Sequence, residues 1–357
     1  MDRSTLRRAR LLSAGTVLAS ALVASAAGAD ERAGMDRPLD TPLNLKVCVY
    51  DPLGAQGQLY AYAKSLSVDA QKWNVAASVV AYADERLAAE DFRVGQCQGV
   101  VLSTIRARAF NRFIGSLDAI GAAPEVREVR TVAALLDQPK VAPLTVQGDY
   151  QVLTVFPLGA TYVMVNDRGI DSVEHALGKR VAVFSVDRAQ DRLVSKLGAQ
   201  PVASDFFSFA RQFNNGQVDI IAAPAMAVRS LELSKGLEYG GVYRFPLTQM
   251  TATVLINRKV LAAQVPDLDA RISALRRFAV GEIDRSKEWL ARQEKSVPDR
   301  FWLDLTAEEQ ARYQTLMHES RVQLTREGYY DPRMMALLKR IRCRYDPSRG
   351  ECALADE

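Results

Sequence analysis

The sequence predicts an α/β protein built as two lobes with a cleft between them. Three observations lead there. Short β-rich runs alternate with helical patterns in two successive stretches of chain. Long β-prone segments around residues 150–166 and 243–256 follow the first and second stretches, as crossing strands between lobes would. A chain of 357 residues, 48% apolar and 25% charged, is also long enough for two cores. It is too apolar for a disordered protein and too polar for a multi-span membrane protein.

Residues 1–29 read as an export signal. A basic stretch with Arg3, Arg7, Arg8 and Arg10 precedes an apolar run from Leu11 to Val23, and small-residue cleavage sites follow at Ala24-Ser25-Ala26 and Ala27-Gly28-Ala29. The run is shorter than the ~20 residues of a membrane span, so cleavage, a periplasmic product and no direct membrane insertion are expected. Removing this segment takes four of 46 basic and one of 42 acidic residues, leaving 42 against 41. A balance of +1 gives no charge-based case for nucleic acid or anionic lipid. Residues 30–43 are charged, contain proline and lack a period, which predicts a flexible lead.

Residues 45–50 (LKVCVY) predict a buried strand, and 58–73 a helix with apolar Leu59, Tyr62, Ala63 and Leu66 on one face. A strand at 75–82, a helix at 85–92 and a strand at 99–102 continue the alternation, with further helix from Ile105 carrying Phe110 and Phe113. Residues 150–166 are β-prone, interrupted by Pro157 and Gly159. The alternation then restarts with helix at 173–177, strand at 180–184, helix at 189–197, an extended piece at 201–203, helix at 206–214 and strand at 218–222. The chain returns as strand at 243–256 and is mostly helical and charged from 260 onward, including 268–292 and 307–326. The corresponding layout is lobe I at 44–155 plus about 250–290, lobe II at 156–249, and a helical C-terminal region at 291–357.

Export makes the four cysteines informative, because an even count in an oxidising compartment favours disulfides. Of the three possible pairings we expect Cys343–Cys352, closing a short loop with Asp346-Pro347 and Gly350, and Cys48–Cys97, joining two strand starts. Closely spaced metal ligands such as C-x2-C do not occur. His175 and His318 are the only histidines, and both fall in helical patterns as structural or solvated residues. Phosphate-loop, nucleophile-elbow and zinc-protease motifs are absent. No catalytic residue, metal or cofactor is therefore expected.

In open α/β sheets ligands bind outside the carboxyl ends of the strands. Here those ends are 51–57, 103–108, 185–188 and 222–226, each placing small or polar residues before a helix start. The ligand-binding candidates are Tyr50, Gly54, Gln56, Ser103, Thr104, Arg106, Tyr162, Ser185, Arg188 and Ala223. Each also has a plain structural reading. Arg106 and its neighbour Arg108 can pair with a carboxylate, the glycines can make a turn, and Tyr50, Tyr162 and Phe184 can fill core.

A run of motifs between about 45 and 290 resembles the periplasmic solute-binding proteins of the type 2 architecture, those of TRAP transporters above all. It comprises Leu177-Gly178-Lys179-Arg180-Val181-Ala182-Val183, then Leu197-Gly198-Ala199-Gln200-Pro201-Val202, then Phe206 to Gly216, Val218-Asp219 and Pro224. The resemblance implies two lobes joined by hinge strands, a helical C-terminal extension, a small organic ligand, and membrane transporter subunits as partners. It also implies an arginine that forks onto a ligand carboxylate, at the position of Ala182, and an asparagine at the position of Ala223. Alanine cannot supply a bidentate contact. Either Arg106, Arg108, Arg180 or Arg188 takes over, or the ligand is less acidic and more apolar. The expected function is a non-enzymatic receptor that closes on a solute and presents it to a transporter. The alternative is an accessory protein of an envelope transport or export complex, its cleft degenerate and its helical C-terminus a partner surface.

Overall fold

One mixed sheet runs through the whole molecule, with helices on its faces. The computed structural model describes residues 37–206 and 208–357; the expected export signal lies outside the described residues. In the first half, β1 (Leu43–Tyr50), α1 (Gln58–Asp69), β2 (Val75–Tyr82), α2 (Glu85–Arg93) and β3 (Gly99–Ser103) follow in that order. The strands pair in parallel, Leu43 opposite Val75 and Val47 opposite Gly99. A short α3 (Thr104–Ala107) and α4 (Val126–Leu135) lead to β4 (Val146–Gln147) and the long β5 (Tyr150–Val165). The second half repeats the pattern with β6 (Arg180–Phe184), α5 (Arg188–Lys196), β7 (Gln200–Ser204), α6 (Ser208–Asn214), β8 (Ile220–Pro224) and α7 (Ala227–Ser230). Then come β9 (Gly241–Asn257), α8 (Arg258–Ala262), α9 (Leu268–Lys295), β10 (Trp302–Leu303), α10 (Ala307–Arg326) and α11 (Pro332–Tyr345).

The strand order is β2-β1-β3-β9-β5-β8-β6-β7, with β10 added to β9 and β4 to β5. The parallel alternation read from the sequence holds at both ends of this sheet, and an antiparallel pair, β5 with β9, joins them. Tyr150 faces Asn257 at one end of that pair and Val165 faces Gly241 at the other. Residues Ala252 to Ile256 of β9 also pair with β3, while Thr161 to Val165 of β5 pair with β8. Each long strand thus serves both lobes. The register shifts between Pro157 and Gly159, where proline cannot donate a ladder hydrogen bond and Gly159 takes φ +129°, open to glycine.

Each lobe has its own apolar core. In lobe I, α2 is capped by Asp84, which accepts the N–H groups of Arg86 and Leu87, and it buries Ala88, Ala89 and Phe92. Phe92 and Phe110 pack edge to face at 5.2 Å, and Tyr150 joins at 5.0 Å from Phe110. In lobe II, Met164, Phe209, Phe213 and Ile221 form one cluster, and Val165, Val183 and Tyr243 form a second. The 28-residue α9 would span about 42 Å at 1.5 Å per residue, enough to touch both lobes. Its Arg276, 3% exposed, donates to the carbonyl oxygens of Leu136, Val152 and Leu153 and to Thr145 Oγ1. Further along, Asp284 forks onto Arg130 at 2.7 Å, and Glu294 accepts the Tyr162 hydroxyl.

Two local expectations give way to tertiary packing. Residues 37–42 are not a loose lead: Leu39 is buried, its N–H donates to the Trp73 carbonyl, and Asn74 Nδ2 donates back to its own. The helix expected from Ile105 ends at Ala107, because the chain folds back on itself. A Cβ on Gly115 would lie 2.4 Å from Arg108 Cα, a contact only glycine permits. Helix then forms at α4, begun by a reciprocal Glu125–Glu128 capping box. In the charged C-terminal region, one face of α11 buries Met334, Leu338 and Ile341 in the core of lobe I.

Both expected disulfides are present, Cys48–Cys97 and Cys343–Cys352, with sequence separations of 49 and 9. Loop-closure entropy assigns the longer bridge about 4 kcal/mol and the shorter about 2.6 kcal/mol. Replacing Cys48 and Cys97 with alanine should therefore lower the urea-unfolding free energy more than replacing Cys343 and Cys352. The reverse order would show that native-state contacts, and not chain entropy, set the balance.

Candidate functional site

The carboxyl end of β6 leads into Ser185, Val186 and Asp187, and that of β3 into α3 and Arg108. These two ends meet across the lobes. Asp187 caps α5 by accepting the Ala189 N–H at 3.2 Å. The same oxygen receives Arg108 Nη1 at 3.3 Å and the Tyr329 hydroxyl at 2.7 Å. Arg108 also donates to the Gly115 carbonyl at 2.9 Å and to the Tyr329 hydroxyl, and its guanidinium stacks 4.3 Å from the Tyr329 ring. Lobe I, lobe II and the segment between α10 and α11 are joined at one point, with both charged side chains almost wholly buried.

Beside this junction is a cavity of about 170 Å3. Ile105, Asp118 and Ile120 border it from lobe I. Ala182, Phe184, Phe209 and Ala223 border it from lobe II, residues 247–250 of β9 from the crossing strands, and Tyr313, Leu316 and Met317 from α10. Most of the wall is hydrocarbon. Its polar groups include Asp118, Asp187, Gln190, Thr161, Thr248 and Gln249.

Asp118 is held by a chain of hydroxyls. Its Oδ2 accepts the Thr251 N–H at 3.1 Å and its Oδ1 accepts the Thr251 hydroxyl at 2.5 Å. Thr251 Oγ1 lies 2.6 Å from Thr104 Oγ1, which lies 2.7 Å from Thr253 Oγ1. Burial lifts the Asp118 carboxyl to about 7, against the smaller opposing effect of the two Thr251 hydrogen bonds and nearby Arg108. Gln249 lies two strand positions before Thr251, on the same face of β9. Its Nε2 donates to the Pro124 carbonyl at 2.7 Å, which fixes the amide orientation, and its Oε1 is buried with no hydrogen-bond partner. The Thr248 hydroxyl is buried without a partner as well.

Of the ten candidates drawn from the sequence, Ala223 borders this cavity, as does Ala182. Thr104 stands two hydroxyls behind it and positions Asp118 through Thr251. The other eight lie elsewhere. Gly54 and Gln56 form a turn after β1, and Gly57 packs so closely on Asp51 that a Cβ there would fall 1.7 Å from Asp51 Oδ1. Ser103 caps α3, and its N–H donates to Glu85 at 2.6 Å. Arg106 lies 3.6 Å from the same carboxylate, whose affinity for protons burial raises. The Tyr50 phenol is pushed up by burial and by the charges of Glu85 and Asp51. Tyr162 donates to Glu294 at 3.0 Å and packs on Trp302. Ser185 donates to the Ser204 carbonyl, and Arg188 is exposed at the start of α5.

Of the four arginines considered as replacements for a carboxylate clamp, three face protein carboxylates, the fourth, Arg188, is exposed, and none borders the cavity. Arg180 forks onto Asp219 at 2.6 and 3.0 Å, Arg106 faces Glu85 and Arg108 faces Asp187. Asp118, Thr248 and Gln249 escaped the sequence reading because no strand end contains them. The one available signal was an ionisable residue in the otherwise apolar run Leu117-Asp118-Ala119-Ile120-Gly121-Ala122-Ala123.

Among the described residues, His318, Glu351 and Glu357 place possible metal-ligand atoms within 4.8 Å of one another. Arg321 Nε reaches Glu357 at 2.7 Å, and Arg342 reaches Glu351 at 2.8 Å and Glu357 at 2.9 Å. Both carboxylates are already neutralised, so the group is a buried ion-pair core that ties α10 and α11 to the last residues. No described helix is long and apolar enough to cross a membrane.

A family model described as "Solute-binding protein AdeT 1/2" matches residues 67–357. The chain is 39% identical over 310 residues to the probable solute-binding protein AdeT1 of Acinetobacter baumannii, covering 87% of this chain and 100% of that one. Among solved structures it superposes with TM-score 0.68 on a TRAP periplasmic solute-binding protein from Desulfovibrio salexigens with bound orotic acid, at 16% identity, covering 84% and 99% of the two chains. A second TRAP protein, from Shewanella oneidensis with bound succinate, gives TM-score 0.67 at 12% identity, covering 84% and 99%. These likenesses establish the two-lobed fold.

The raised Asp118 carboxyl has a defined effect on stability. Between pH 3.8, its ordinary value, and about 7 the folded state holds a proton that the unfolded state has released. Stability therefore falls as pH rises through that window, by up to about 1.4 kcal/mol per pH unit, and levels off above it. Asp118→Asn, neutral at every pH, should remove this part of the slope and gain stability relative to the unaltered protein as pH rises towards about 7. Chemical denaturation of both proteins from pH 4 to 8 measures the difference, and parallel curves would refute the assignment. At the lobe junction, Arg108→Met should cost on the order of 3–5 kcal/mol, because it leaves the Asp187 carboxylate buried without its cation. Asp187→Asn/Arg108→Met should cost less than the sum of the two single changes, as a double-mutant cycle would show.

Proposed function

This chain belongs to the AdeT 1/2 family of solute-binding proteins, and from that premise we propose that it is a non-catalytic periplasmic receptor. It closes two lobes on a small organic molecule and presents the closed form to a membrane transporter of the TRAP kind. The observation that carries this reading is the cavity at the meeting of β5, β6, β8 and β9, bordered by both lobes and by α10. A ligand there touches both lobes at once, so it stabilises the closed arrangement by its differential affinity for it.

The wall favours an apolar body over a simple carboxylate. Ala182 and Ala223 stand where the TRAP resemblance places an arginine and an asparagine, and both face the cavity. The nearby arginines are engaged with Glu85, Asp187 and Asp219. Orotic acid and succinate are the ligands of the two TRAP proteins named above; this site lacks a free fork for such groups. The hydroxyls beside its two carboxylates, Thr251 on Asp118 and Tyr329 on Asp187, are also tied to Thr104 and Arg108, which favours a receptor over an enzyme.

Thermal unfolding of the exported protein with a panel of small organic metabolites tests the proposal. A true ligand at 100 times its dissociation constant adds about 2.7 kcal/mol. Ala182→Leu, which fills the cavity from β6, should leave the protein folded and abolish that gain. A cavity unresponsive to acids, amines and neutral aromatics alike would instead favour an accessory protein with a degenerate cleft.

A further inference from the structure

We propose that the cavity selects a hydrogen-bond-donating, positively charged ligand: a primary or secondary amine on a compact apolar or aromatic body, its ammonium group seated against Asp118 and Gln249. This rests on the reading of the cavity as the ligand site and specifies what enters it.

The argument is an inventory of donors and acceptors on the wall. Asp118 lends two carboxylate oxygens, each using one lone pair on Thr251, and an ionised carboxylate has about four such sites. Gln249 Oε1 is an acceptor only, held in place by the Nε2 bond to Pro124, and it is 3% exposed with no donor directed at it. Thr248 Oγ1, 8% exposed, can accept or donate and does neither within the protein. The cavity wall thus holds Asp118, Gln249 and Thr248 with acceptor capacity left over, and Gln249 lies on the same strand face as Thr251, the partner of Asp118. Buried polar groups without partners are destabilising, and a ligand donor removes that cost. Arg108 is the cation of this region. Its guanidinium serves Asp187, Gly115 and Tyr329, and one nitrogen, Nη2, remains buried and unpartnered. That nitrogen belongs to a group already paired with a carboxylate, and Arg108 does not border the cavity. An anionic ligand would therefore meet Asp118 and Asp187 on the wall without a cation facing it, whereas an ammonium meets unsatisfied oxygens.

Size sets the body. The cavity measures about 170 Å3, close to the roughly 150 Å3 apolar cavity that takes up benzene. One ring with a short arm fits, and Phe184, Phe209, Leu316 and Met317 supply its apolar surroundings. The raised Asp118 carboxyl is consistent with an unpaired acid in such surroundings, and an incoming ammonium would draw it to its ionised form.

Three probes of the same outline decide the matter: 2-phenylethylamine, 2-phenylethanol and phenylacetate, titrated calorimetrically into the full exported chain at pH 7.5. The expected order is amine, then alcohol, then acid, with the amine at least about tenfold tighter than the acid, which is 1.4 kcal/mol. Asp118→Asn should reduce amine binding by about tenfold or more and leave the alcohol within a few-fold. Phenylacetate binding as tightly as the amine, or an amine preference that survives Asp118→Asn, would overturn the inference while leaving solute capture intact. Binding of none of the three would sink both the inference and the reading on which it rests. The ranking on the unaltered protein decides the question even if Asp118→Asn fails to fold.

Discussion

The pairing of β5 with β9 is the constraint on which the rest depends. Because each of these strands hydrogen-bonds into both lobes, the lobes cannot separate without breaking a ladder that runs from Tyr150 and Asn257 to Val165 and Gly241. The ladder is irregular at four places, between Val152 and Thr154, Pro157 and Gly159, Thr161 and Tyr162, and Tyr162 and Met164. The part of β9 that borders the cavity, residues 247–250, faces this irregular stretch of β5.

Charge is distributed around the cavity by pairing. Arg180 with Asp219, Arg106 with Glu85 and Arg108 with Asp187 use each guanidinium on a protein carboxylate. Of these only Arg108–Asp187 is almost wholly buried, and a buried pair repays its desolvation poorly, so its effect is geometric specificity more than net stability. The Arg108–Asp187 pair is informative because its partners come from different lobes and a third contact, Tyr329, comes from beyond α10. The C-terminal region is accordingly tied to both lobes at this junction. Arg321 reaches the Ile120 carbonyl and Arg342 the Ala122 carbonyl, anchoring α10 and α11 to the segment that carries Asp118.

Local signals and long-range contacts divide this protein unevenly. The β1–α1–β2–α2–β3 and β6–α5–β7–α6–β8 stretches were legible because periodicity and turn residues act within a few positions. The break of the crossing strand was legible because Pro157 and Gly159 each carry a backbone restriction of their own. Both disulfides were legible from compartment and spacing. The helix proposed after Ile105 was not correct, since the close approach of Gly115 to Arg108 is a contact between backbone segments that no local pattern encodes. Residues 37–42 likewise pack because Leu39 finds Leu43 and Val265.

The strand-end rule led to Ala223, which borders the cavity, and to the turn beside Asp187, while its other candidates Arg106 and Tyr162 contact Glu85 and Glu294 within the protein. By itself the amino-acid order determined the α/β class, the two-part alternation, the crossing strands and the cysteine pairs, all consequences of short-range periodicity and covalent reach. Only the tertiary structure decided which polar groups meet around the cavity. Asp118, Gln249 and Tyr330 lie far apart in the chain, and their juxtaposition follows from strand register and helix docking, which are set by the burial of apolar surface that many sequences could provide equally well.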